Sequence, residues 1–247
     1  MRWPVVLQCV ALANARADPP PLVLAPNQVA VRVVAEASLA PGGFARPLSL
    51  APDAWVGVTP RLTIGVIHSD LSIDRLSPKA SLCVRQDRLL CPRAYRGIGV
   101  DLRYAARLGP LAAVPHVRLL LRDVAPLKPA VTLGAAVRWA RGRLAFTTDP
   151  FVQVGLANTD RGNRSALWIP VIAAVSLFEG ADLELHTGWN SDFAVIRDGW
   201  HVPAGLFARV RISPHVEATA GVGFTSLLGP QNTPKLRLAV VSIGWRS

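Results

Sequence analysis

Hydrophobic and polar residues alternate along most of the chain with a period of two. Val131, Leu133, Ala135, Val137 and Trp139 share one face of a segment whose other face carries Thr132, Gly134, Ala136 and Arg138. His201–Ile212 repeats the pattern. Val202, Ala204, Leu206, Ala208, Val210 and Ile212 oppose His201, Gly205, Phe207, Arg209 and Arg211. The stretch 215–225 does the same, with Val216, Ala218, Ala220, Val222 and Phe224 against His215, Glu217, Thr219, Gly221 and Gly223. Side chains two apart share a face only in a strand, so this periodicity predicts β-structure throughout. Gly, Pro, Asn and Asp punctuate it as turn residues. About twelve strands follow, each near the length of a tilted membrane-crossing strand. Their cores are 28–39, 48–58, 61–69, 95–106, 112–123, 129–140, 143–157, 166–177, 181–190, 200–212, 215–226 and 235–246. Asp149-Pro150 breaks the pattern inside 143–157 and predicts a bulge or local defect, because proline cannot donate to a strand ladder.

The connections alternate in kind. Thr59-Pro60, Leu108–Leu111, Arg141-Gly142, Phe178–Gly180 and Ser213-Pro214 are tight turns. Between them fall the longer links Ala40–Pro47, Asp70–Ala94, Asn158–Ser165, Ser191–Gly199 and Leu227–Pro234, with Val124–Lys128 as a short exception. A soluble sandwich has no reason to alternate in this way. An antiparallel, up-and-down transmembrane β-barrel does, with short periplasmic turns and long outer loops. That topology also assigns each strand end to an interface. Tyr104, Trp139, Phe146 and Trp245 then fall on the apolar face at the periplasmic end, and Trp189, Trp200 and Phe224 at the extracellular end. Two such aromatic girdles around a middle of Val, Leu, Ile and Ala are what a lipid-facing surface requires.

Composition fits this reading. The chain is 51% hydrophobic with a mean hydropathy of +0.32. It has no apolar run long enough for a membrane helix, so a helical membrane protein is excluded. Charged residues are only 17%, which excludes disorder. The net charge is +11, and 24 of the 27 basic residues are Arg. Nucleic acid is not the expected partner, because no basic stripe is interleaved with aromatics. In a barrel the polar face is the lumen. It is predicted to hold Arg32, Arg103, Arg118, Arg122, Arg138, Arg209 and Arg211. Against them stand, in equal number, Glu36, Asp53, Asp101, Asp149, Asp182, Glu184 and Glu217, with His116, His186 and His215 alongside. Inward charges in a narrow barrel need partners or water. Either they form a network that partly fills the lumen, the favoured expectation since small barrels are packed by their own side chains, or they line a narrow aqueous path. The surplus of positive charge gathers in the link around Arg75, Lys79, Arg85, Arg88, Arg93 and Arg96. There it can meet the phosphates of lipopolysaccharide, or simply be solvated.

The N-terminal residues read as a secretory signal over 1–17. Arg2 is followed by an apolar core over Trp3–Ala13 and an Ala15-Arg16-Ala17 cleavage pattern. A stiff linker with Pro19-Pro20-Pro21 is expected over 18–27, on the periplasmic side, ahead of a barrel domain over 28–247. Outside the signal, Cys83 and Cys91 are the only cysteines, and an exported chain favours a disulfide between them.

No motif for catalysis, cofactor or metal binding is present. His68-Ser69-Asp70 places a His beside a Ser, but neighbours on a strand point to opposite faces and cannot form a simple nucleophile–base pair.

The segment Trp55-Val56-Gly57-Val58-Thr59-Pro60-Arg61-Leu62-Thr63-Ile64-Gly65-Val66 resembles a recurrent hairpin of Gram-negative outer-membrane barrels. It is similar to hairpins of the loose group that includes the phenol meta-pathway transporters. The last strand, Lys235–Trp245, resembles the signal read by the barrel-assembly machinery. It departs from that pattern in that Arg246-Ser247 follow the aromatic residue. The resemblance implies residence in the outer membrane, among its lipids. The functional expectation is a narrow, porin-like channel for small solutes or a structural barrel, without enzymatic activity. The alternatives are an exported soluble β-barrel or sandwich that binds an apolar ligand, and an outer-membrane lipid hydrolase.

Overall fold

The computed structural model describes residues 19–40, 43–68, 80–86, 91–107, 111–230 and 237–247. The expected signal over 1–17 and the residues Ser69 and Asp70 lie outside the described residues. The strands are β1 (Val29–Ser38), β2 (Leu48–Gly57), β3 (Leu62–Ile67), β4 (Leu82–Arg85), β5 (Ile98–Tyr104), β6 (Leu111–Val124), β7 (Leu127–Arg141), β8 (Leu144–Thr148), β9 (Phe151–Gly155), β10 (Ala166–Phe178), β11 (Ala181–Asp192), β12 (Val202–Arg211), β13 (Val216–Leu228) and β14 (Arg237–Arg246). Each pairs antiparallel with its neighbours, and β1 pairs with both β2 and β14, which closes the sheet. Closure removes every sheet edge, the condition for a strand structure in lipid.

The result is a closed barrel of 12 strand positions with two extra strands. Both extras arise where one position is split in two. β8 and β9 together fill the position between β7 and β10, interrupted at Asp149-Pro150 as predicted. β3 and β4 both pair with β2, at its two ends. β4 lies within the link predicted over Asp70–Ala94. It forms because Leu82 and Cys83 find the free backbone of Leu50 and Ser49. Cys83, in this strand, is joined to Cys91 by a disulfide, with a Cα–Cα distance of 5.9 Å.

The sidedness follows the predicted alternation. Val29, Val31 and Val33 are exposed on the outer surface of β1, while Val34 and Glu36 are buried within. Outward residues such as Leu119, Leu133, Leu185, Leu206, Val222 and Val241 form an apolar belt. Tyr104, Trp139, Phe146 and Trp245 are exposed at the end of the short turns, and Trp139 lies against Phe146 across the β7–β8 pair, with ring centroids 5.8 Å apart. Trp189, Trp200 and Phe224 are half-buried at the other end.

The interior also takes aromatic side chains, and glycines make room for them. Trp55 stands directly opposite Gly65, and Phe207 opposite Gly221. A Cβ on Gly65 would lie 2.1 Å from the Trp55 ring, and one on Gly221 would lie 2.3 Å from Phe207. Each ring lies flat over the backbone of the next strand, which only glycine allows.

Residues 19–27, expected to be a linker leading to the barrel, run along its inner wall at the end of the short turns. Leu22 and Val23 pack on Ala105, Val114 and Ala136. Leu24 is buried among Trp55, Ile67, Leu120 and Ala130, and its N–H donates to Thr63 Oγ1 at 2.8 Å. The Ala25 carbonyl lies so close to Gly57 that a Cβ there would come within 1.9 Å of it. The segment then turns outward through Asn27, which has a positive φ of 62°, and enters β1. Ser247 ties this corner down, since its carbonyl accepts from Gln28 and its N–H donates to Val29.

Candidate functional site

The barrel interior divides into two zones. The zone toward the long loops is filled by buried side chains. Val34, Ala51, Ala80, Phe207, Leu238 and Val240 form one apolar cluster there. Glu36 lies beside it, accepting from the Ala80 N–H at 3.0 Å, and Asp53 accepts from the His68 N–H at 2.7 Å. Arg122 is held by Asn163 Oδ1, whose own amide donates to the carbonyls of Pro129 and Ala157.

Two ionic networks cross the middle of the barrel. In the first, Arg118 donates to Asp149 at 3.1 Å and lies 3.4 Å from Asp101. Asp149 also contacts His116 Nε2 at 2.6 Å. Asp101 receives Arg103 at 2.6 Å and the indole N–H of Trp55 at 3.0 Å. Asp101, Asp149 and Arg118 are 0%, 1% and 3% exposed, so their charges are neutralised by one another rather than by water. Asp149 therefore sits where the split strand turns inward. The defect predicted at Asp149-Pro150 places this carboxylate in the network. In the second network, Arg209 bridges Asp182 and Glu184, with Glu184 at 2.8 Å. Glu184 also contacts His186 Nε2 at 2.8 Å. The His186 ring stacks on Phe207 with centroids 4.0 Å apart. Glu217 pairs with Arg32 at 3.1 Å.

Toward the short turns the interior opens into a cavity of about 250 Å³. Phe207, His186, Val34 and Val240 close it from above, while Arg211, Ser213, Pro214 and Arg246 stand at its mouth. One wall is the N-terminal segment, through Pro19–Leu22 and Leu24. The charged side chains that reach it are Arg32, Arg103, Arg118, Arg138, Arg209, Arg211 and Arg246, against Glu184 and Glu217. The polar face as a whole is balanced, but the surface of this vestibule is cationic. Asp101, Asp149 and Asp182 lie behind the arginines they pair with, and Asp53 is buried in the packed zone. His215, expected in the lumen, sits at the mouth in the β12–β13 turn, where its Nδ1 contacts the Arg246 carbonyl at 2.8 Å. Among the described residues no group of three or more His, Cys, Asp or Glu could hold a metal ion.

Sequence reasoning missed the N-terminal wall of this vestibule. The one signal for it was the apolar triplet Leu22-Val23-Leu24 behind three prolines, which has no place in a solvated linker.

No family model matches the chain, and no curated protein matches it. Solved structures do. A NanC porin is similar over 88% of this chain and 98% of its own, with a TM-score of 0.59 and 9% identity. CdiB from Acinetobacter baumannii is similar over 89% of this chain and 60% of its own, with a TM-score of 0.50 and 7% identity. At such identities the likeness speaks for the fold alone. A closed antiparallel barrel with an apolar outer belt and aromatic ends, superposable on an entire porin, has the fold of the outer-membrane β-barrels.

Proposed function

We propose that the chain is a narrow, non-enzymatic outer-membrane channel that favours small anions. The observation that carries this reading is the cationic vestibule: seven arginines and two glutamates reach its surface, and even with Asp101, Asp149 and Asp182 paired behind the arginines the bases stay in excess. Low-dielectric walls focus the field of such a cluster and raise the local concentration of ions of opposite sign by about ten- to a thousandfold. The periplasmic side is the one on which the N-terminal segment from Pro19, the C-terminal Ser247 and the short turns lie. In this reading residues 1–17 are an export signal. Strand β14 is what the assembly machinery recognises. Cationic side chains of the loops, such as Arg93, meet lipopolysaccharide phosphates.

Planar-bilayer recordings under a tenfold potassium chloride gradient test the preference. The expected reversal potential has the sign of chloride selectivity. A potential of the opposite sign, or of zero, overturns it.

One observation favours a second reading. The zone above Phe207 and His186 is packed, as in a structural barrel with no conducting path. A barrel that migrates as a compact folded species in detergent gels, yet gives no conductance steps, would support it.

A further inference from the structure

The vestibule has two unlike walls, and Arg138 in it lacks the carboxylate partner that Arg32, Arg103 and Arg209 have. Arg32 has Glu217, Arg103 has Asp101, and Arg209 has Asp182 and Glu184. Arg138 has only neutral acceptors. Its Nε donates to Thr147 Oγ1 at 3.2 Å, and its Nη1 donates to the Pro20 carbonyl at 2.5 Å. Among the described residues no carboxylate lies in ion-pair range of it. A half-buried guanidinium is costly unless an anion compensates it, and its five N–H donors exceed the two bonds it makes. Apolar side chains line the same cavity of about 250 Å³, among them Leu24, Ile172, Phe207 and Val240. That volume is too small for a chain of sugars and suits a single ring or short branched body.

We propose that the vestibule is a binding site for a small carboxylate with an apolar body. The carboxylate pairs with Arg138, whose planar fork matches it. The body lies against Leu24 and Phe207. The Pro20 carbonyl occupies one of the donor directions of Arg138 and holds the guanidinium in place beside the ligand. This inference rests on the cationic character of the vestibule described above and adds the class of anion.

The test is calorimetric titration of the full barrel, purified in detergent micelles, with cyclohexanecarboxylate. Cyclohexanecarboxamide, acetate and empty micelles serve as comparisons. The acid should bind, and the amide, which has the body without the charge, should bind about tenfold more weakly or worse, the value of one charge-assisted pair. Acetate, which has the charge without the body, should lose a similar factor. Arg138→Gln should lose about tenfold in affinity, and Arg138→Lys should recover part of it. Arg161→Gln, at the opposite end of the barrel, should bind as the parent does. Equal binding of acid and amide, equal binding of acid and acetate, or no binding of the acid to the folded parent would each overturn the proposal. The acid–amide comparison needs no substitution, so it stands even if Arg138→Gln fails to fold. Anion-selective conductance without acid binding would overturn the site and leave the channel reading intact. Acid binding without conductance would do the reverse.

Discussion

Arg118→Met is expected to lower the unfolding free energy of the barrel by about 3–5 kcal/mol, the cost of leaving buried charges unpaired. Arg118 stands between Asp101 and Asp149, both essentially inaccessible to water. Methionine keeps an unbranched stem but removes the positive charge between them. Arg103 still compensates Asp101, and His116 remains beside Asp149, so the damage falls short of two free carboxylates. Adding Asp101→Asn and Asp149→Asn to Arg118→Met should return a substantial part of the loss, because neutral amides need no counter-charge. Urea unfolding of the barrel in phospholipid vesicles, followed by tryptophan fluorescence, measures both differences. A loss below about 1 kcal/mol, the range of exposed ion pairs, would mean that water reaches this network. A triple variant weaker than the single one would contradict the pairing itself.

The second large effect concerns the N-terminal segment. Leu24→Asn is expected to detach residues 19–25 from the inner wall. The leucine side chain contributes about 1.5–3 kcal/mol by its burial. An amide in its place forfeits that burial beside Trp55, Ile67, Leu120 and Ala130, and unlike a carboxylate it is not drawn to the vestibule arginines. The remaining hold on the seven-residue strap is the packing of Leu22 and Val23 on Ala105, Val114 and Ala136, one backbone bond to Thr63 and one guanidinium contact from Arg138. Gly57→Val attacks the same contact from the wall, since any Cβ there collides with the Ala25 carbonyl. Limited proteolysis with mass-spectrometric readout should show cleavage between residues 19 and 28 in both variants, with the barrel itself intact. The parent should resist. Equal cleavage in the parent would mean that the strap does not lie against the wall.

The strands and their faces were legible because a barrel writes its two environments into alternate residues. Val131 to Trp139 and Val202 to Ile212 needed no partner strand to be read. The split at Asp149-Pro150 was legible for a covalent reason, the missing N–H of proline. β4 was not. Four residues carry too little periodicity, and Leu82 and Cys83 become a strand only because β2 offers free backbone beside them. The inward rings of Trp55 and Phe207 depend on Gly65 and Gly221 of the neighbouring strands, which is cross-strand information. The sign of the vestibule was hidden for a related reason. Asp101 and Arg103 share a face two residues apart, yet Arg103 reaches the cavity and Asp101 lies behind it. Alternation distinguishes inside from outside, but not depth within the inside.

Thr219 faces the vestibule, and Ser49 is buried in the packed zone beside Glu36. Single cysteines at these two positions, treated in detergent micelles with thiosulfonate reagents of equal size and opposite charge, test the central claim most directly. The account predicts that Thr219→Cys reacts readily, about tenfold faster with the anionic reagent than with the cationic one. Ser49→Cys should stay protected from both. Faster reaction of Thr219→Cys with the cationic reagent, or equal reactivity at the two positions, would contradict an open cationic vestibule next to a narrower, closely packed zone.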